Sequence, residues 1–251
     1  MKTPVRVVLV GAAGRMGQAV EKAAESVADI EVTARCNRGD GIESALSNCD
    51  VAIDFSHADA TEQNCSACVA AGKPIVIGTT GQSPAHTSAI GHAASTIPVV
   101  LASNFSVGVN TLFWLTRKAA ELLGDGFDLE IVETHHRLKK DAPSGTAKRL
   151  AEILVEARGV SYERNVAHGR QGLIGARPAS EIGMHAIRGG DVVGEHTVLF
   201  ARNGERLELT HKASSRETFA TGALRAAQWI IGKPAGLYSM EDVLGLSARE
   251  R

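Results

Sequence analysis

Apolar residues in the first hundred positions occur in short continuous runs, each followed by a segment with helical spacing. The runs VRVVLVG, IEVTARC, DVAIDFS, PIVIGTTG and IPVVLASN predict five strands. The segment RMGQAVEKAAESV repeats apolar residues along one helical face, and further helices are predicted near 59–71 and 84–94. Continuous apolar strands that alternate with helices are typical of a parallel sheet covered on both faces. We therefore predict a doubly wound α/β domain over residues 1–105.

The pattern changes after this point. A helix predicted over GVNTLFWLTRKAAELLG leads into FDLEIVETHH, where Phe127, Leu129 and Ile131 alternate with polar neighbours. This alternation is typical of a strand with one solvated face. An amphipathic helix is predicted at 146–157, and EIGMHAIRG, GEHTVLFAR and ERLELTHKA predict three more strands. Strands clustered in sequence indicate a mixed or antiparallel sheet, so we predict an α+β domain over 106–215.

Two connecting segments complete the predicted organisation. The stretch 159–180 is rich in Gly, Arg and His, and is predicted to be a mobile surface loop. The segment 216–251 contains the apolar helix TFATGALRAAQWIIGK, which we expect to pack back onto the first domain.

Composition and charge narrow the possible functions. The chain has 251 residues, 44% of them hydrophobic, and a net charge of −1, which leaves no global basic field for nucleic acid or an anionic membrane. No apolar run approaches the roughly 20 residues that span a bilayer. The start MKTPVRVVLVG enters a strand without a signal-peptide pattern. We therefore expect a cytoplasmic protein without nucleic-acid or membrane partners.

The four cysteines do not predict a metal or redox site. Cys65 and Cys68 form a lone CxxC, and no second Cys or His pair is spaced to complete a four-ligand zinc site. The pair lies inside a predicted helix, whereas a redox CxxC lies at a helix start after a strand. Of the two interpretations, we favour buried structural thiols for this pair.

A glycine-rich turn follows the first strand. Gly11, Gly14 and Gly17 have the spacing GxxGxxG, and Ala12 and Ala13 lie between the first two. Small residues let backbone N–H groups approach a pyrophosphate at the helix N-terminus, and the third glycine allows close packing of the helix. The position at the first strand–helix turn of an alternating α/β unit favours a dinucleotide site. A plain tight turn is the alternative.

The end of the second strand bears on the choice of cofactor. An acidic residue there binds ribose hydroxyls, whereas a basic residue favours a 2′-phosphate. Asn37 and Arg38 occupy this position, and Asp40 follows slightly later. The pattern favours NADPH without excluding NADH. The alternative is that Arg38 is a solvated loop cation.

The segment ETHHRLKKDAPSGTA, residues 133–147, combines histidines, cations and a helix start. His135 and His136 should point to opposite faces of the strand end, and Lys139 follows in the turn. A helix that begins near Ser144 offers unpaired N–H groups and a hydroxyl as an anion cradle. Such a set suits a carboxylate-bearing substrate that needs a proton. The alternative is a basic strand end with an ordinary helix cap.

The segment EIVETHHRLKKDAPSGTA closely resembles the signature of the dihydrodipicolinate (4-hydroxy-tetrahydrodipicolinate) reductase family of the diaminopimelate and lysine pathway. The resemblance extends along the whole chain, through GAAGRMG, DFS, VIGTTG, ASNFSVGVN, RGGDVVGEHTVLF and ERLELTHKASSRETFATGA. It implies a Rossmann domain, a substrate domain whose sheets assemble a homotetramer, and hydride transfer from NAD(P)H to a cyclic imine dicarboxylate.

The resemblance also implies site residues. His135 would be the general acid/base and Lys139 its proton-donor partner, while His136, Ser144, Gly145 and Thr146 would hold substrate carboxylates. The cofactor would be lined by Gly11, Ala12, Ala13, Gly14, Arg15, Met16, Arg38, Gly78, Thr79, Thr80, Ala102, Ser103, Asn104 and Phe105. Glu133 and Asp141 are expected to orient the histidines and lysines. His185, His196 and His211 are expected to be sheet or interface residues, and no metal is implied.

Two other functions are alternatives to the reductase. A semialdehyde dehydrogenase would need a cysteine nucleophile in the second domain, but no cysteine follows Cys68. A non-catalytic nucleotide-sensing regulator on the same fold would keep the glycine turn without needing the His–Lys–Ser–Gly–Thr cluster. The regulator remains the alternative to a reductase.

Overall fold

The structure, a computed structural model, describes residues 3–246. The chain forms two compact units. The first runs to Val107 and resumes at Arg216, and the second spans Gly108–Ser215. The end of the segment predicted over 216–251, from residue 247 onward, lies outside the described residues.

Strands and helices are numbered here in chain order. The strands are β1 (Val5–Val10), β2 (Ile30–Cys36), β3 (Val51–Asp54), β4 (Ile75–Ile77), β5 (Pro98–Leu101), β6 (Asp128–His135), β7 (Val166–His168), β8 (Ile182–Arg188), β9 (Gly194–Arg202), β10 (Glu205–Ala213) and β11 (Gly236–Tyr238). The helices are α1 (Arg15–Ala24), α2 (Glu43–Leu46), α3 (Thr61–Ala71), α4 (Pro84–Ala94), α5 (Val107–Leu123), α6 (Gly145–Arg158), α7 (Tyr162–Asn165), α8 (Glu217–Ile230) and α9 (Met240–Leu244).

The first unit contains a parallel six-stranded sheet in the order β11-β5-β4-β3-β1-β2. The five strands predicted from the apolar runs are confirmed. The edge strand β11, which pairs with β5, was not predicted, because its three residues GLY do not form an apolar run. Since all the strands are parallel, the carboxyl ends of β1, β3, β4 and β5 lie at one edge of the sheet, where ligands bind in open α/β sheets.

Helices cover both faces of this sheet. On one face, Val7 and Leu9 of β1 pack in one cluster with Val20 of α1 and Leu224 of α8. Helix α8 contacts α1 on this face. Burial of these side chains removes apolar area from water, the main favourable contribution to folding.

On the opposite face, Val8 and Val10 of β1 pack in a second cluster with Cys68 of α3 and Ile90 of α4. The alternation along β1 confirms the doubly wound arrangement. All four cysteines are buried and unpaired, as predicted for Cys65 and Cys68. Burial raises the pKa of the Cys65 thiol to about 11, so the thiol stays protonated and unreactive.

The second unit contains a mixed five-stranded sheet in the order β10-β9-β6-β8-β7. β6 pairs in parallel with β8 on one side and antiparallel with β9 on the other. Phe127, Leu129 and Ile131 are buried together with Leu150 and Leu154 of α6, which confirms the predicted amphipathic strand and helix.

The stretch 159–180 differs from the predicted mobile loop. It contains α7 and the edge strand β7, which pairs with β8. Beyond them, Arg170 and Arg177 donate hydrogen bonds to the carboxylate of Glu130 on β6. These ordered elements could not be predicted from the sequence, because α7 and β7 are short. The hydrogen bonds from the two arginines to Glu130 also join residues 40 or more positions apart.

Among residues 3–246, no helix has the length and apolar character needed to cross a membrane.

Candidate active site

The C-terminal end of strand β6 carries a buried carboxylate beside an imidazole. Glu133 and His135 lie on the same face of the strand, and Oε2 of Glu133 is 2.5 Å from Nδ1 of His135. The Glu133 side chain is fully buried, and that of His135 is 12% exposed. The two side chains are in contact because residues two positions apart in a strand point to the same face.

Glu133 is ionised despite its burial. Burial itself raises the pKa of this carboxyl, but hydrogen bonds from His135, from the Arg188 guanidinium and from the Ser144 backbone N–H outweigh it and lower the pKa to about 2. An ionised carboxylate accepts hydrogen bonds only, so Nδ1 of His135 carries the proton in this contact. The remaining ring nitrogen, Nε2, is the atom left for a substrate.

Space beside Nε2 is provided by a glycine. A Cβ on Gly194, at the start of β9, would lie 3.0 Å from Nε2 of His135. This distance is shorter than an ordinary van der Waals contact, so a residue larger than glycine at position 194 would crowd the imidazole.

The N-terminus of α6 lies next to the same carboxylate. The Ser144 backbone N–H donates to Oε1 of Glu133 at 3.1 Å, and the Ser144 Oγ accepts from the Ala147 N–H as the helix N-cap. A Cβ on Gly145 would meet no atom within 4 Å, so the backbone there is open. A helix N-terminus with an open approach can bind a carboxylate through its N–H groups.

His196 of β9 supports this cap from the neighbouring strand. Its Nε2 is 2.9 Å from the Ser144 Oγ, and its ring packs edge-on against His135 with centroids 5.2 Å apart. Burial, followed by the proximity of His135, lowers the pKa of His196 to about 3. A neutral imidazole at this position supports the cap without adding charge to the site.

The loop after β6 carries the predicted lysine. Lys139 Nζ forms an ion pair with both carboxylate oxygens of Asp141, each at 2.9 Å, and the Lys139 backbone N–H donates to the His136 carbonyl. The expected contact of Asp141 with a lysine is therefore present. The buried Nδ1 of His136 has no hydrogen-bond partner among residues 3–246.

In the first unit, a cavity of about 640 Å³ opens at the carboxyl ends of the strands. Its lining residues are Val10, Gly11, Ala13, Gly14, Asn37, Arg38, Gly39, Asp40, Gly41, Phe55, Ser56, His57, Asp59, Ala60, Gln63 and Asn64. The glycine turn and Arg38 therefore line one cavity, and its volume is within the usual range for small-molecule and cofactor sites.

The glycine turn fits a pyrophosphate. A Cβ on Gly11 would lie 2.5 Å from the Phe55 carbonyl oxygen, so only glycine is accommodated there. Gly14 is the N-cap of α1 and supplies no capping side chain. The N–H groups of the first helical turn are thus oriented as an anion site without a competing side-chain acceptor from the cap.

The structure places the other predicted cofactor residues at the same edge of the first sheet without bringing them into the cavity lining. Gly78, Thr79 and Thr80 follow β4, and Ala102 to Phe105 follow β5. Three side chains belong to the core: Ala12 and Phe105 are buried, and Met16 packs against the same cluster. Thr79 is fixed by its hydroxyl, which donates to Asp54 at 3.0 Å.

Sequence reasoning missed several residues around both sites. Arg188 and His196 contact Glu133 and Ser144 from neighbouring strands, and the segment from Phe55 to Asn64 forms one wall of the cavity. The segments DFS and RGGDVVGEHTVLF, which belong to the family resemblance, contain or flank these residues. These two segments were the features of the sequence from which the missed residues could have been identified.

The fold resembles solved oxidoreductase structures. A dipicolinate-bound dihydrodipicolinate reductase from Paenisporosarcina sp. TG-14 matches with a TM-score of 0.78 and 23% identity, over 94% of this chain and 98% of that one. An engineered D-amino acid dehydrogenase bound to NADP⁺ matches with a TM-score of 0.58 and 14% identity, over 99% of this chain and 97% of that one.

Family models and curated relatives match the sequence itself. Residues 5–105 match the model described as dihydrodipicolinate reductase, N-terminus, and residues 108–244 match its C-terminus. The protein named 4-hydroxy-tetrahydrodipicolinate reductase of Akkermansia muciniphila is 58% identical, over 97% of this chain and 99% of the relative. That of Anaeromyxobacter dehalogenans is 46% identical, over 96% and 98%. The chain therefore belongs to the dihydrodipicolinate reductase family.

Proposed function

We propose that the chain catalyses the NAD(P)H-dependent reduction of 4-hydroxy-tetrahydrodipicolinate to tetrahydrodipicolinate in diaminopimelate and lysine biosynthesis. The observation that carries this proposal is the contact of Glu133 with His135 beside the N-terminus of α6. It combines a proton carrier with an anion cradle, which is what a dicarboxylate imine requires on reduction. Relatives across nearly the full length carry the name of this reductase.

His135 is the proposed general acid. Its Nδ1–H is held by ionised Glu133, and its Nε2 lies beside Gly194. A bound reduced nicotinamide supplies the hydride, and the substrate must also take up a proton. A protonated Nε2 can deliver it, because an imidazole exchanges protons near neutral pH.

Lys139 is the proposed proton-donor partner. Its side chain is 20% exposed, and its ammonium is held by Asp141, which is 63% exposed. The pair can exchange protons with solvent through the exposed carboxylate of Asp141. The ammonium also adds positive charge that attracts a dicarboxylate substrate. We assign the substrate carboxylates to His136, Gly145 and Thr146, and give Ser144 the role of fixing the start of α6 beside them, because its N–H already donates to Glu133. The Ser144 hydroxyl is already used by the cap and His196.

The cofactor is proposed to be NADPH in preference to NADH. The glycine turn would bind the pyrophosphate, and Arg38, in the lining of the same cavity, would bind a 2′-phosphate. Asp40 also lines this cavity. Because it can accept hydrogen bonds from ribose hydroxyls, NADH remains a usable cofactor.

We further propose a cytoplasmic homotetramer. Support comes from the face of the mixed sheet opposite α6, where the apolar residues Val132 and Leu199 are only partly buried and Ile187 is 49% exposed. Light scattering of the purified protein at micromolar concentration tests the assembly. A monomer would contradict it.

The test of the activity is loss of reduced-nicotinamide absorbance with the imine generated in situ, with NADPH and NADH compared side by side. Oxidation that depends on the imine is the expected result. His135→Ala and Lys139→Ala should each lower kcat by roughly 10²- to 10⁴-fold. Near-normal turnover in both variants would contradict the site assignment. A folded protein that binds nucleotide but oxidises neither cofactor would favour the nucleotide-sensing regulator.

A further inference from the structure

We propose that Arg188 is a positioning residue for the reaction, aligning His135 and the loop that carries Lys139 through one guanidinium group. The proposal rests on the roles assigned to His135 and Lys139 under the proposed function. Arg188 ends β8 and lies directly opposite His135 in the parallel pairing of β6 with β8.

The first half of the arrangement is the contact with Glu133. Arg188 Nη1 donates to Oε2 and Nη2 donates to Oε1, both at 2.8 Å. This two-point contact fixes the plane of the carboxylate, because a guanidinium fork matches both oxygens at once. Oε2 is also the oxygen that contacts Nδ1 of His135, so the carboxylate plane sets the direction of the imidazole.

The second half is the contact with the loop after β6. Arg188 Nη2 also donates to the backbone carbonyl of Asp141 at 2.7 Å. Asp141 holds the ammonium of Lys139 with both carboxylate oxygens. The same guanidinium therefore fixes the backbone of Asp141, whose side chain holds Lys139.

The guanidinium is itself fixed. Nη1 donates to the Ile187 carbonyl at 2.7 Å, and the side chain of Arg188 is 20% exposed. Its four contacts to Glu133, Asp141 and Ile187 radiate from one plane. A lysine ammonium has three donors at a single point and cannot reproduce them.

The same unit contains a comparable pair that lacks these connections. Arg170 makes a two-point contact with Glu130 on the opposite face of β6. Glu130 also contacts His185, which lies outside the candidate active site. An arginine–glutamate pair can thus serve structure alone in this unit, and the link to His135 and Asp141 is what distinguishes Arg188.

The experiment uses the full-length protein with Arg188→Lys, which keeps the positive charge beside buried Glu133, and Arg188→Ala. Arg188→Lys should lower kcat on the order of 10²-fold, with the KM for NADPH unchanged, because a misaligned acid affects the chemical step. Guanidinium chloride at low millimolar concentration should restore part of kcat in Arg188→Ala. Arg149→Lys is the matched control, since Arg149 pairs with Glu152 and Glu156 on α6 and should keep wild-type kcat.

A second measurement does not depend on turnover. Imidazole ¹⁵N shifts of His135 should report a single Nδ1–H tautomer when neutral in the wild type and a mixture of tautomers in Arg188→Lys. Absence of imine-dependent oxidation in the wild type would contradict the proposed function, and the ¹⁵N shifts would still test the positioning. Wild-type kcat in Arg188→Lys, or a lowered kcat with an unchanged tautomer, would overturn the proposal. So would a loss of stability with unchanged kcat per folded molecule.

Discussion

The side-chain oxygen of Asn37 accepts a hydrogen bond from the backbone N–H of Ala13 at 2.7 Å. This contact ties the end of β2 to the glycine turn. The Asn37 backbone N–H in turn donates to Oδ2 of Asp40 at 2.8 Å. The loop that carries Arg38 is thereby fixed at both ends beside the cavity.

Arg38→Ala should weaken NADPH binding more than NADH binding. Loss of a charged hydrogen bond to a phosphate costs about 1.5–3 kcal/mol, or roughly 10- to 100-fold in Kd. NADH has no 2′-phosphate, so its Kd should change little. Fluorescence titration of both nucleotides measures the ratio. Equal weakening of the two would show that Arg38 does not select between them.

Gly17→Ala should destabilise the first unit. A Cβ at this position would lie 2.3 Å from the Gly11 carbonyl oxygen and 2.6 Å from the Cα of Ala12. Both are backbone atoms that can move only if the turn deforms, and overpacking of this kind costs about 1–3 kcal/mol or more. Urea denaturation measures the loss, and NADPH titration should show weaker binding to the deformed turn.

Gly91→Ala is the matched control. Gly91 lies inside α4, and a Cβ there would meet no atom within 4 Å. Because alanine favours a helix interior over glycine by about 0.5–1 kcal/mol, this variant should be slightly more stable than the wild type. Destabilisation by both substitutions to the same extent would mean that close approach at Gly17 is not the cause.

The sequence predicted elements whose signal is local. The five strands β1 to β5 and the helices α3 and α4 follow from apolar runs and helical spacing. By contrast, β7 and β11 have three residues each and depend on pairing with distant strands. The equally short β4 was predicted because Ile75, Val76 and Ile77 form a continuous apolar run, whereas VAH in β7 and GLY in β11 form none, so no pattern distinguishes these two from a loop.

The same distinction applies to the site. His135, Lys139 and the helix start at Ser144 lie within one segment, so both residue chemistry and the resemblance identify them. Arg188 and His196 reach this site from β8 and β9, about 50 to 60 positions later. Their contribution depends on strand order and register, which a single sequence does not display.

Gly194→Ala should lower kcat with little loss of stability. The added Cβ would lie 3.0 Å from Nε2 of His135, and the imidazole must shift by a few tenths of an ångström. Such a shift misdirects the atom that delivers the proton, and small misplacements can cost up to about 10²-fold in rate. Steady-state kinetics and thermal unfolding should be measured together on the same preparation.

Gly189→Ala is the corresponding control. Gly189 lies in the turn after β8, where a Cβ would meet no atom within 4 Å, and its N–H donates to the His135 carbonyl in either variant. It should keep kcat close to the wild-type value. If Gly194→Ala also keeps wild-type kcat, the space at Gly194 does not matter to the reaction.

Burial of His196 should make the protein less stable as the pH falls. Its pKa is about 3 in the folded chain, lowered first by burial and then by His135, against about 6.5 when exposed. Between pH 6.5 and 3 the unfolded chain therefore binds a proton that the folded chain does not. The free energy of unfolding should fall by up to about 1.4 kcal/mol per pH unit over this window, and the contribution is fully present above pH 6.5.

His196→Gln isolates this contribution because a glutamine does not titrate and can still hydrogen-bond to the Ser144 Oγ. As the pH is lowered from 6.5 to 4, the free energy of unfolding of the wild type should fall relative to that of the variant. Urea titrations at several pH values measure this difference. Glu133 acts in the same direction, since its lowered pKa of about 2 makes its contribution decline only below about pH 4.5. Measurements between pH 6.5 and 5 therefore separate the two groups. Parallel pH profiles of wild type and variant in that interval would contradict the assignment to His196.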